Sequence, residues 1–198
     1  MSITLFLLIA CVIFSITALN NRDIFYKLDF QPYMIERNKE WYRFLSHAFL
    51  HADWGHLVIN MFVLYQFGRF VEGAYASLFP EKWILYFLLL YLGGILFSTV
   101  PGYARNRTNY AYHAVGASGA VSAVVYSFIV IAPTAPLRLF FVPIDIPAWI
   151  FGLGYLGLEY YLDKNSKSNI AHSAHYFGAI FGVVYTVILE PQLILRFF

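Results

Sequence analysis

Charge is scarce in this chain of 198 residues: Lys and Arg number 13, Asp and Glu 11, together 12% of the sequence, against 60% hydrophobic residues. So little charge cannot clothe a water-facing surface of this size, which excludes an ordinary soluble domain and implies an integral membrane protein facing a lipid bilayer. Cysteine is nearly absent: Cys11 stands alone, excluding an intramolecular disulfide and any multi-cysteine metal site. The net charge is only +2 and no Lys/Arg cluster forms a binding stripe, so nucleic acid is excluded as a partner. No aspartate falls within an apolar run and no His-Glu-x-x-His motif exists, which removes aspartyl and zinc peptidase chemistry inside a membrane. No internal repeat is seen and no buried charge is expected to form an ion path, against a transporter or channel.

Long apolar runs are what the chain has instead. A spanning helix needs about 20 predominantly apolar residues, and six runs answer to that: about 3–19, 56–74, 82–101, 112–131, 147–161 and 171–189. None alternates as a membrane barrel strand does, and lipid leaves no other way to satisfy backbone polar groups, so the runs predict an all-α bundle forming one domain over 1–198. The first run has no basic n-region and reads as a retained helix. Residues 20–55 form a long first loop whose Glu36–Glu40 charges, Trp41-Tyr42-Arg43-Phe44, His47, His51 and Trp54 suit a segment lying at the interface. His47 and His51 are an i,i+4 imidazole pair, but neither a metal nor a cofactor is expected. Pro133, Pro136, Pro143 and Pro147 should end the fourth span and delay the fifth. Asp163 to Asn169 reads as a polar, mobile fifth connection.

Polar residues inside the runs point to a site. With alternating connections the second, fourth and sixth spans enter the bilayer from one side, so their N-terminal halves share a depth. His56 and Asn60 lie in the first turns of the second span, Ser118 in the second turn of the fourth, roughly 10 Å in at 1.5 Å per residue, and His175 in the second turn of the sixth. A membrane serine often bonds only its own i−4 carbonyl or lets helices approach closely. Intramembrane ionisable groups, by contrast, mark functional sites, and His56 and Asn60 at i,i+4 share one face. Gly116 and Gly119 on the fourth span, with Gly178 and Gly182 on the sixth, permit close backbone approach and so bring His175 towards Ser118.

Ser118 in Gly-Ala-Ser-Gly, His56-Leu-Val-Ile-Asn60 followed by Gly68, and Ala174-His175-Tyr-Phe-Gly178 followed by Gly182 together resemble the rhomboid intramembrane serine proteases, as does Trp41-Tyr42-Arg43 in the first loop. The resemblance covers about residues 3–190 and implies a six-helix rhomboid-like bundle. It also implies a Ser118–His175 dyad of nucleophile and general base, with His56, Asn60 and the Ser118 N–H stabilising the oxyanion. The implied partners are single-span or other membrane-protein substrates, cleaved in their transmembrane segments. The alternative is a catalytically inactive rhomboid-like protein that binds or displaces membrane clients. No carboxylate is placed at the depth of the dyad, so no third member is expected. Where the family often has a tyrosine one turn after the serine, this chain has Ser122, i+4 from Ser118 and on its face. His172 is a competing base, read as lying nearer the surface.

The analogy further implies that the fifth connection caps the site and that the short fifth span, carrying Trp149 and Phe151, moves aside as a lateral gate. A bacterial cytoplasmic membrane is the expected location. Family orientation would put the active site towards the outside, with both termini in the cytoplasm. The basic residues argue the other way, since Arg22, Lys27, Arg37, Lys39, Arg43, Arg105, Arg107, Lys164 and Lys167 would lie outside against Arg69, Lys82, Arg138 and Arg196 inside.

Overall fold

A single helix, Ser118–Ile131, is buried on every side from Gly119 onward, and the other elements are arranged around it. An all-round apolar helix has no face to give to solvent, so it becomes the core. The computed structural model describes residues 2–138, 144–165 and 171–197. In chain order the helices are α1 (Ile3–Asn20), α2 (Arg22–Leu28), α3 (Pro32–Asn38), α4 (Arg43–Ser46), α5 (Trp54–Leu78), α6 (Trp83–Asn106), α7 (Ser118–Ile131), α8 (Ala148–Asn165) and α9 (His172–Leu189). α7 packs against α5, α6, α8 and α9, and α1 covers the far side of α5. Among the described residues three helices, α1, α6 and α9, are long and apolar enough to cross a membrane by length and composition. Their outer faces carry exposed Phe6, Ile9, Ile13, Phe97, Val100, Val184 and Ile188, a surface suited to hydrocarbon rather than water.

The expected all-α architecture needs two amendments. A short antiparallel ribbon, β1 (Pro136–Arg138) with β2 (Asp145–Pro147), joins α7 to α8. Proline lacks an N–H and cannot continue a helix, and here Pro136 and Pro147 pair across the ribbon. Pro143 lies outside the described residues, as do positions 166–170 of the fifth connection.

The second amendment concerns depth. The fourth apolar run is helical only from Ser118, so the serine is the first residue of α7 and not in its second turn. The chain before it enters the bundle as non-helical backbone. Gly116 has φ +129°, a conformation closed to helix and to most side chains. The first loop satisfies this stretch: Phe30 and Ala114 exchange backbone hydrogen bonds of 2.9 and 3.0 Å, and Gly116 N–H donates to the His47 carbonyl at 3.0 Å. Non-helical backbone is tolerated at such depth only when protein groups take up its polar atoms. That loop is itself tied down by Arg43, which donates to Asp29 Oδ1 at 2.7 Å and to the Asp29 and Tyr26 carbonyls, while Asp29 Oδ2 lies 2.6 Å from His113 Nδ1. His47 and His51, spaced for a shared metal, are not on one regular helix. His47 Nδ1 bonds the Arg43 carbonyl and His51 Nδ1 bonds Ser15 Oγ, each at 2.9 Å.

Three contacts hold the helices at fixed spacing. A Cβ on Gly178 would stand 2.1 Å from the Gly119 carbonyl oxygen and one on Gly182 2.2 Å from that of Ala123, so α7 and α9 touch backbone to backbone. Away from that crossing, Tyr75 of α5, Ser127 of α7 and Thr186 of α9 form a closed ring of hydroxyl hydrogen bonds of 2.8–3.2 Å. Glu72 of α5 caps α1, accepting from Ser2 Oγ and from the Ile3 and Thr4 N–H groups.

Gly178→Ala forces these backbones apart and should destabilise the protein by about 1–3 kcal/mol, read as a lowered unfolding temperature in detergent. Acid should also destabilise it. Burial pushes His47 down to about 4 and His51 down to about 3, whereas both titrate near about 6.5 once unfolded. Below that value the unfolded chain binds protons that the folded one does not, so stability falls as pH is lowered from about 6.5 towards 4 and is level above it. Thermal unfolding at pH 5 and pH 7.5 checks the sign, and His47→Gln should flatten the dependence.

Candidate active site

The α7–α9 crossing sets one hydroxyl against one imidazole. Ser118 Oγ lies 2.9 Å from His175 Nε2. His175 is the fourth residue of α9, in its first turn, because that helix starts at His172. Gly178 lies one turn further along α9, where contact with Gly119 brings the two helix starts together. Asp163 at the end of α8 fixes the start of α9 by accepting from the Ser173 N–H at 3.0 Å, and Arg105 of α6 pairs with the same carboxylate.

His56 stands against the chain that leads into Ser118. Its ring packs over Gly116, where an added Cβ would be 2.8 Å from His56 Cε1. Its Nδ1 accepts weakly from the Ala52 N–H at 3.4 Å, and Asp53 caps its helix by bonding the His56 N–H. Asn60 is buried one turn deeper, its side-chain amide donating to the His56 carbonyl at 2.9 Å. The start of α7 has no side-chain cap, so its first N–H groups present the positive end of the helix dipole beside Ser118. A cavity of about 30 Å³ lies between the serine, Ser98, His47, Gly116 and Ala174, large enough for water.

The expectation that no carboxylate reaches this depth is wrong. Glu159 is buried on α8, with Oε1 3.0 Å from His175 Nδ1 and Oε2 2.7 Å from His172 Nδ1. By composition the fifth apolar run ends at about 161, which puts Glu159 at its rim. The helix continues to Asn165 and runs antiparallel to α9, so Glu159 lies level with the first turn of its neighbour. His172, the competing base, is buried against that carboxylate while Ser118 pairs with His175. Tyr155 is a second group the sequence does not single out: its hydroxyl is 3.5 Å from His175 Nδ1, so a tyrosine does reach the imidazole, from α8 and not from the Ser122 position. Among the described residues Glu159, His172 and His175 also offer three potential metal-ligand atoms within 4.8 Å of one another, a grouping the sequence does not suggest.

Comparison with known proteins identifies a family for the chain as a whole. The family model for the Rhomboid domain matches residues 38–192. RHOMBOID-like protein 12, mitochondrial, of Arabidopsis thaliana is 33% identical over 149 residues, covering 68% of this chain and 42% of that protein. Rhomboid-like protein 11, chloroplastic, of the same plant is 28% identical, covering 80% and 56%. Rhomboid protease GlpG of Haemophilus influenzae is 25% identical, covering 82% and 77%. The chain thus spans about half the length of the two plant proteins.

Proposed function

Since the chain belongs to the rhomboid family, we propose that it is an intramembrane serine endopeptidase that cleaves transmembrane segments of membrane-protein substrates. The observation that carries this reading is the 2.9 Å contact of Ser118 Oγ with His175 Nε2, because a hydroxyl becomes a useful nucleophile only beside a base. In this reading α1, α5, α6, α7, α8 and α9 are six spans of one bundle. α7 has 14 residues, roughly 21 Å of helix. It is shorter than the bilayer core, and the non-helical chain ahead of it leads it into the bundle.

The chemistry is set by the atoms present. His175 Nε2 takes the Ser118 proton as Oγ attacks the scissile carbonyl carbon. The resulting oxyanion is met by the first N–H groups of α7 and by His56 and Asn60, fixed donors whose removal typically costs 10²–10³-fold in rate at such sites. The protonated imidazole then gives its proton to the departing amine, leaving an ester on Ser118. Water, for which the adjacent cavity has room, loses a proton to Nε2, attacks the ester and restores the serine. Only an unwound stretch of substrate offers its carbonyl, since an intact helix keeps it hydrogen-bonded, so substrates should be cut near small or helix-breaking residues. α8, with Trp149, Ile150 and Leu153 exposed on its outer face, is the element proposed to yield to an incoming helix. The two plant relatives carry organellar names and the third is bacterial. Membrane residence is therefore the part of the location that stands, and the bacterial cytoplasmic membrane expected from sequence has no support from them.

Purified protein in detergent should cleave a model single-span substrate, and Ser118→Ala should abolish both cleavage and labelling by a serine-directed fluorophosphonate. Absence of both in the parent would point to a client-binding, inactive member. Gly116→Ala, which crowds His56 and cannot adopt φ +129° without strain, should lower kcat about ten-fold or more while the substrate is still bound.

A further inference from the structure

A buried carboxylate has no part in the two-residue chemistry above, yet Glu159 holds Oε2 in a hydrogen bond with His172 Nδ1 and Oε1 within ion-pair distance of His175 Nδ1 on α9. Neutral histidine carries one ring proton, and His175 can accept from Ser118 only when that proton is on Nδ1, leaving a lone pair on Nε2. Nothing intrinsic to an imidazole guarantees this tautomer. An ionised carboxylate is an acceptor only, and Glu159 Oε1 lies 3.0 Å from Nδ1, nearer than the Tyr155 hydroxyl at 3.5 Å. The second oxygen, 2.7 Å from His172 Nδ1, is held by a neighbour one helical turn away on the same face. The carboxylate is thereby braced on one side and presented to His175 on the other. Its side chain is 7% exposed, so its interaction with the imidazolium formed on proton transfer is little screened.

From this geometry we infer that Glu159 is a positioning residue, holding His175 in the Nδ1-protonated tautomer and balancing its charge once Nε2 is protonated. The site is then a triad of Ser118, His175 and Glu159 in place of a dyad. The inference rests on the protease reading for its consequence in rate. The same three side chains suit a divalent metal by chemistry. Their closest separations, 2.7 and 3.0 Å, are hydrogen-bond lengths, shorter than the roughly 3.3 Å between ligand atoms around a tetrahedral zinc bound at 2.0–2.1 Å.

The test compares parent, Glu159→Gln, Glu159→Asp and Ser118→Ala on one single-span substrate, with and without EDTA. Glu159→Gln should lower kcat about a hundred-fold with KM changed less than about two-fold, and Glu159→Asp should recover part of the loss. A Glu159→Gln enzyme within about three-fold of parent kcat overturns the inference while leaving the protease reading intact. Inactivation of the parent by EDTA with recovery on adding zinc overturns it in favour of a metal. A parent that does not cleave, or a Ser118→Ala variant that does, defeats the protease reading instead. Independently of how the Glu159 variants fold or act, ¹⁵N NMR of histidine-labelled parent protein, assigned with His175→Gln, should show His175 protonated on Nδ1. Protonation on Nε2 overturns the assignment of Glu159.

Discussion

The backbone of α7 rests on the backbone of α9 where Gly119 meets Gly178. Without Cβ atoms the two helices come closer than side chains normally allow, and the packing of small residues replaces the hydrophobic driving force that lipid cannot supply. Ser118 precedes one glycine by one residue and His175 precedes the other by three. The distance between hydroxyl and imidazole is therefore set by main-chain contact, with little left to flexible side chains. The Tyr75–Ser127–Thr186 ring pins the same two helices together with α5 further along the bundle, so a shear at one end is resisted at the other.

A second constraint comes from the backbone that leads into α7. That chain is non-helical and becomes buried at Gly116 and Ala117, and in hydrocarbon unpaired N–H and C=O groups there would each cost several kcal/mol. The first loop exists in this form because it supplies those partners. Its own fold depends on Arg43 meeting Asp29 and two carbonyls at once. A polar loop and an apolar core are in this sense one structure: the loop makes it possible for a helix to begin below the surface, with its free N–H groups beside the serine.

Much of this is legible in the sequence, for identifiable reasons. Apolar runs of bilayer length reveal helices directly, and glycines at Gly178 and Gly182 reveal a close crossing because few other roles require that spacing. Ser118, His56 and His175 stand out since polar groups at such depth are costly. Composition misplaces the start of α7 because residues 112–117 are apolar enough to pass for helix, and only Gly116 signals a break. Glu159 escapes notice for a related reason. A glutamate near the end of an apolar run reads as an interfacial charge, and its true level depends on how far the helix continues and on which neighbour it runs beside. Periodicity carries neither. The ribbon between α7 and α8 is hidden by prolines, which announce the end of a helix but not the shape of the chain beyond it.

Of all the helices around the core, α8 is among the least embedded: only Ala148, Gly152 and Glu159 are buried along its length. Its one deeply anchored acid is the group that grips the imidazole. If α8 is the element that yields under the proposed function, it would take the acid with it, and entry and activation would be coupled through a single part. An entering chain would then meet a serine whose neighbouring imidazole has lost its carboxylate until the helix settles back.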